Sequence, residues 1–324
     1  MDLLTWRDRV STWLYRRRLA TTPLANERSV RQSQPHRTAF VLLGGGARGA
    51  AQAGALSVIL EHGIVPDYIV GISAGSWNGA YLAQEPTPGR AHDLENLWLQ
   101  TSTLDIVGPR RWRAAFNALA LRSSLYGNAG VRRVAERYLG DITFEDLRVP
   151  LRVVATDLGT GNAHFFAEGR VLPAVVASSA MPGVFPPVVT QDSVFIDGGV
   201  AEWAACLDAL GWGATRICFL ACGAARRESR ARTVRRVLER SLEISLRNNF
   251  DAMTFALRAS GIDVLAVFPD LPRGTMLDFD LAPAFIEAGR AAARQALGAW
   301  EHEAMATPIE GDVDVQEGMD SASA

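Results

Sequence analysis

The stretch V70-G-I-S-A-G-S-W77 puts Ser73 between Gly71 and Gly75 in a G-x-S-x-G pattern. A serine hydroxyl is a weak nucleophile at neutral pH and needs a neighbour to take its proton. At a sharp strand-to-helix corner the two glycines remove clashes and leave the hydroxyl exposed. A plain helix N-cap is the alternative use of the same serine. Ser76 is the weaker candidate, since no glycine pair frames it. A second stretch, L43-G-G-G-A-R-G49, offers backbone amides at another strand-to-helix junction. Glycines there allow positive φ and close approach, and the helix N-terminus favours negative charge. Two uses fit: a phosphate cradle, or an oxyanion hole in which one lost donor costs about 3 kcal/mol of transition-state stabilisation. The loop also matches G-x-G-x-x-G, but a dinucleotide site wants an acid at the end of the second strand. That strand ends in Gly71, Ile72 and Ser73, and Asp67 lies at its start.

The base for Ser73 is the harder question. The chain has 5 histidines. In the order serine, acid, histidine, only His302 follows the later acids, and it borders the acidic C-terminal tail. His36 falls in a linker, His62 ends a helix, His92 follows a Pro-Gly loop, and His164 sits in a hairpin-like segment. Each reads as a surface or packing residue. The alternative is F195-I-D-G-G199, where a strand delivers Asp197 into a turn of two glycines. An isolated Asp-Gly is usually a hairpin turn. Here it follows a helix end and a proline-rich loop, A177-S-S-A-M-P-G-V-F-P-P187. A carboxylate partly desolvated in such a cleft has a raised pKa, which suits a general base.

These residues need elements to hold them. A39-F-V-L-L43 and P66-D-Y-I-V-G71 read as buried strands, each followed by a turn and a helix. The order strand, Gly-rich turn, helix, strand, Ser turn, helix predicts a parallel sheet covered on both faces. Further strands are predicted at 151–155, 216–220 and 263–268, with 91–148 mostly helical. Apolar residues three and four apart from Val234 to Met253 predict a long amphipathic helix.

Three regions follow. Residues 1–37 form an Arg-rich amphipathic extension and linker, 38–298 a catalytic domain with its main motifs within 40–205, and 299–324 an acidic, disordered tail. Leu3, Trp6, Val10, Trp13 and Leu14 fall at helical spacing among arginines, so residues 3–18 suit peripheral contact with an anionic membrane surface. A helix packed on the domain, or a partner-binding arm, is the alternative. The 324 residues, 48% hydrophobic, allow a sizeable core. A net charge of −2 gives no reason to expect nucleic acid. Every one of the 33 basic residues is arginine. Cys206, Cys218 and Cys222 are too few for a disulfide framework and fit a reducing, cytoplasmic setting. Neither a transmembrane run nor a secretory h-region is legible.

Together, G44-G-G-A-R-G49, G71-I-S-A-G75 and D197-G-G199 resemble the motifs of the patatin-like phospholipase family. A155-T-D-L-G-T-G161, A177-S-S-A-M-P-G-V-F-P-P-V188 and F285-I-E-A-G-R-A-A-A293 resemble its further blocks, so the likeness spans roughly residues 38–296. It implies a three-layer α/β/α fold with a central, mostly parallel sheet, and a Ser-Asp dyad that needs no histidine, cofactor or metal. Ser73 would be the nucleophile, Asp197 its base, and the amides of Gly44, Gly45 and Gly46 the oxyanion hole. Arg48 would order the loop, an exposed salt bridge being its alternative. Gly49, Gly71, Gly75, Gly198 and Gly199 would shape the turns around it. The implied activity is serine hydrolysis of a lipid acyl ester, in a phospholipid or an acylglycerol. A catalytically silent membrane adaptor and a nucleotide-binding module are the competing readings. One segment departs from the family. After Asp197-Gly-Gly, members often continue through asparagine and proline, whereas this chain reads V200-A-E-W-A-A205, with Glu202 and Trp203 unaccounted for.

Overall fold

The computed structural model describes residues 36–108, 123–225 and 234–306. The amphipathic segment 3–18 and the tail beyond residue 306 lie outside the described residues.

Strand β1 (Thr38–Leu42) leads through the glycine loop and a 3-10 turn (Gly46–Arg48) into α1 (Gly49–Glu61). Strand β2 (Tyr68–Ile72) leads through Ser73 into α2 (Ala74–Gln84). Three shorter helices follow: α3 (Pro88–Leu99), α4 (Thr103–Val107) and α5 (Ala129–Leu139). The hairpin of β3 (Leu151–Asp157) and β4 (Ala163–Phe166) precedes α6 (Val171–Ser178), β5 (Val188–Val189) and β6 (Val194–Asp197). Helix α7 (Trp203–Trp212), β7 (Arg216–Leu220), β8 (Ala224–Ala225), α8 (Val234–Ala259), β9 (Asp263–Val267), β10 (Asp270–Leu271) and α9 (Ala282–Ala306) complete the order.

Eight strands form one sheet in the order β5-β6-β3-β2-β1-β7-β9, with β4 also on β3. The five from β3 to β9 pair in parallel, and β4, β5 and β6 join antiparallel. Successive side chains of a strand point to opposite faces, and this divides the apolar interior in two. Phe40, Leu42, Ile69 and Val153 face α1 and α2. Val41, Val70, Ile72 and Val154 face α7 and α8. The result is the expected three-layer α/β/α arrangement. Helix α1 is buried from Gly49 to Leu60 because α9 covers the side turned away from the sheet. The two helices touch backbone to backbone: a methyl on Gly54 would meet the Ile286 carbonyl oxygen at 2.2 Å. Helix α9 runs on to Ala306, so the expected tail from residue 299 starts inside this helix. His302 is an exposed residue on it.

Candidate active site

Ser73 is the one non-glycine residue with positive φ among the described residues, at φ 50° and ψ −122°. Such a backbone costs on the order of 1–3 kcal/mol and persists only where its surroundings impose it. Here the surroundings are tight. A methyl on Gly75 would lie 2.1 Å from the Leu42 carbonyl oxygen, so α2 presses directly on the end of β1. The Ser73 amide donates to Ser178 Oγ at 2.7 Å, and Ser178 Oγ–H donates to the Val154 carbonyl at 2.6 Å. The corner is therefore pinned to both α6 and β3. Ser73 occupies the N-cap position of α2, but its side chain caps nothing, which leaves the hydroxyl available. Ser76 is fully buried and its Oγ–H donates to the Ser73 carbonyl at 2.6 Å.

The pairing register explains how Asp197 reaches this corner. On β3, Val154 pairs with Ile72 at the end of β2, and the next residue, Ala155, pairs with Asp197 at the end of β6. Strand β4 occupies the other edge of β3 over the same residues. Strands β2 and β6 therefore meet end to end along one edge of β3, and Ser73 and Asp197 both leave the sheet at the junction. Asp197 is held there by its amide to the Ala180 carbonyl at 3.0 Å, by Thr156 Oγ1–H to its own carbonyl at 3.0 Å, and by the Gly199 amide to Oδ1 at 2.8 Å. Oδ2 is buried and has no hydrogen-bond partner of ordinary geometry among the described residues. Burial pushes the carboxyl up to about 6, although the Gly199 amide and the nearby Ser73 hydroxyl both favour its ionised form. The sequence suggests partial desolvation; in the structure Asp197 is only 6% exposed, with the Gly198 α-carbon packed on the Val154 carbonyl at the turn.

The glycine loop arrives from the other side. A methyl on Gly44 would lie 2.9 Å from Ser73 Cβ, so no side chain fits between loop and serine. Gly44 and Gly45 line a cavity of about 710 Å³ together with Ser73 and Asp197. Gly46, at φ +59°, turns instead to a smaller apolar cavity of about 40 Å³ that also reaches Ser73. The amides of Gly44, Gly45 and Gly46 donate to no acceptor of the protein among the described residues, whereas the next amide, Ala47, donates to the Met276 carbonyl at 2.8 Å. Met181, Val184, Leu246 and Leu277 make much of the larger cavity's wall apolar. Its size is that of ordinary small-molecule sites.

Arg48 is not on the surface. It is 1% exposed, paired with Glu243 of α8, and donates from Nη2 to the Gly274 carbonyl at 3.0 Å. A buried guanidinium behind the glycine loop thus fixes the loop to α8, which replaces the expected alternative of an exposed salt bridge. Gly49 packs between Trp98 and Ala74, and Gly71 against the Gly75 carbonyl. Behind them, Asn78 Nδ2–H donates to Gln52 Oε1 at 2.9 Å and Gln52 Nε2–H to the Leu220 carbonyl at 2.9 Å. None of the histidines lines the cavity. His62 and His92 face Glu301 and Glu61 at 2.9 Å, and the exposed His164 packs on Phe166 and Phe195. Ser178, Thr156 and Glu243 are site residues to which sequence reasoning gives no role, and Glu202 stands out in the sequence only as a departure from the family pattern. Ser178 lies within a quoted family block but carries no chemical pattern of its own.

The sequence profile described as "Patatin-like phospholipase" matches residues 40–208, just over half of the 324-residue chain, and covers both the Ser73 and the Asp197 motifs. The chain belongs to the patatin-like phospholipase family. Two relatives illustrate its range. "Lysophospholipase nte1" of Aspergillus fumigatus is 29% identical over 203 residues, which is 57% of this chain and 12% of that protein. An uncharacterized NTE family protein of Mycobacterium tuberculosis is 33% identical over 180 residues, 53% of this chain and 45% of the relative. The chain thus spans less than half the length of either. Among solved structures, VipD from Legionella pneumophila aligns over 82% of this chain and 68% of its own, with a TM-score of 0.46 and 15% identity.

Proposed function

We propose that this patatin-like protein is a serine acyl hydrolase of lipid esters, with Ser73 as nucleophile and Asp197 as general base. One observation carries the proposal. A strained serine with an uncommitted hydroxyl and a buried aspartate with an uncommitted oxygen face one apolar-walled cavity, beside a loop of unengaged amides. Ser73 Oγ attacks the ester carbonyl while Asp197 Oδ2 takes its proton. The carbonyl oxygen becomes an oxyanion that accepts from the amides of Gly44 and Gly45, with Gly46 as the outer candidate. Collapse of this intermediate expels the alcohol, which leaves with the proton from Asp197. Water then attacks the acyl-serine by the same route, and the fatty acid departs. A carboxyl pushed up to about 6 is a stronger base than an ordinary aspartate and is still mostly ionised at pH 7.

The apolar wall fits an acyl chain, and the name of the Aspergillus relative, a lysophospholipase, makes lysophospholipids the first substrates to try. The serine reading is tested by a fluorophosphonate probe. One equivalent is expected to label the protein at Ser73 and to fail with Ser73→Ala; labelling at another residue, or equal labelling of the variant, refutes it.

A further inference from the structure

Glu202 is five residues beyond Asp197, at the junction of a 3-10 turn (Gly198–Ala201) and α7. It is 4% exposed, and neither carboxyl oxygen has a hydrogen-bond partner of ordinary geometry among the described residues. Asn249 on α8 is near enough to favour the ionised form, but without such a bond. A buried, unpaired carboxyl is costly in a fold. Arg48 offers a counterpart. Arg48 has Nη2 engaged by Glu243 and Gly274, while its Nε–H is buried without a partner. Arg48 and Glu202 line the same void of about 10 Å³, against the back of Gly44 and Gly45. That is close to the smallest space that holds one water. The residues that carry an orphaned donor and two orphaned carboxyl oxygens therefore line a space of one water's size.

We propose that one buried water joins Arg48 Nε–H to the Glu202 carboxyl, and that Glu202 is a positioning residue which locks the glycine loop to the Asp197 turn. The water accepts from Nε–H and donates to one Glu202 oxygen, so the guanidinium donor and one of the two carboxyl oxygens are satisfied at once. The carboxyl must stay neutral to do this without opposing an oxyanion at Gly44 and Gly45. The charges around it favour that state. Two positive charges, Arg48 and Arg240, which binds Glu243 at 2.8 Å, stand against two negative ones, Glu243 and Asp197, so an ionised Glu202 would be in excess. The thiols of Cys206 and Cys222 facing this region are pushed up by burial and stay protonated. Burial first, and the Asp197 charge with it, push the Glu202 carboxyl up to about 8. Above that pH the cluster gains an unmatched negative charge behind the oxyanion loop.

The inference rests on the proposed role of Asp197, and the test separates the two. Ester hydrolysis by the full chain is compared in wild type, Glu202→Leu and Glu202→Gln from about pH 5 to 10. Glu202→Leu is expected to lower kcat about tenfold at pH 7, the order of one lost hydrogen-bonded link, with KM within about twofold. Glu202→Gln, which mimics the neutral acid, should restore most of that rate. Wild type should lose activity on the alkaline side near pH 8, and Glu202→Gln should lose that limb while keeping the acid one. Wild-type kcat in Glu202→Leu, or superimposed alkaline limbs, overturns the inference. If the variants fail to fold, a high-resolution crystal structure of the wild type decides it. One ordered water bonded to Arg48 Nε and Glu202 is expected; no water there, or Arg48 Nε paired elsewhere, refutes it. Failure of the Asp197 reading shows separately, as wild-type activity in Asp197→Asn.

Discussion

Replacing Asp197 with asparagine should abolish hydrolysis and, above about pH 6, make the fold more stable than wild type. The sign follows from the raised carboxyl. Between its ordinary value of 3.8 and its folded value of about 6, the native state keeps a proton that the unfolded chain has released. Stability therefore falls as pH rises through that window, and the loss is complete above it. A shift of about two units, at 1.36 kcal/mol each, is about 3 kcal/mol. Asparagine does not titrate, and its amide oxygen can still accept from the Gly199 amide, which donates to Oδ1 at 2.8 Å in the wild type. The two proteins should be nearly equal at pH 4 and differ by about 3 kcal/mol at pH 7. At roughly 2–4 °C per kcal/mol for a domain of this size, that is a Tm gain of about 6 °C or more. Urea denaturation and thermal melts at stepped pH measure it. A difference that does not vary with pH, or a wild type more stable than the variant at pH 8, would refute the placement of a desolvated carboxylate here.

Two further outcomes are expected. Ser178→Ala removes the acceptor of the Ser73 amide and the donor to Val154, so kcat should fall about tenfold or more while KM stays near wild type, measured by steady-state hydrolysis. Cys206, Cys218 and Cys222 are buried and free, with thiols pushed above the ordinary range, so a thiol reagent at pH 8 should leave the native protein untouched and titrate all three after unfolding.

Local signals carried much of this architecture. Continuous apolar runs in β1 and β2, the glycines after each, and the spacing from Val234 to Met253 identify the elements that hold the glycine loop, Ser73 and Glu243. What local signals lack is contact between distant segments. The end-to-end meeting of β2 and β6 on β3 joins residues over a hundred positions apart, and only the register shows why Asp197 faces Ser73. Arg48 reads like any loop arginine until Glu243, 195 residues later, is folded against it. Glu202 was an unexplained departure in sequence; burial beside Arg48 gives it a physical setting. The expected tail boundary at residue 299 falls inside α9, where Trp300 donates to Asp263 Oδ1 at 2.5 Å and anchors a stretch that composition alone assigns to the tail.

The most direct measurement of the central claim is fatty-acid release from lysophospholipid and mixed phospholipid vesicles by wild type, Ser73→Ala and Asp197→Asn. Release by the wild type, lost in both folded variants, is the predicted result. Release that persists in Asp197→Asn would contradict an aspartate base, and release that persists in Ser73→Ala would contradict the serine mechanism itself.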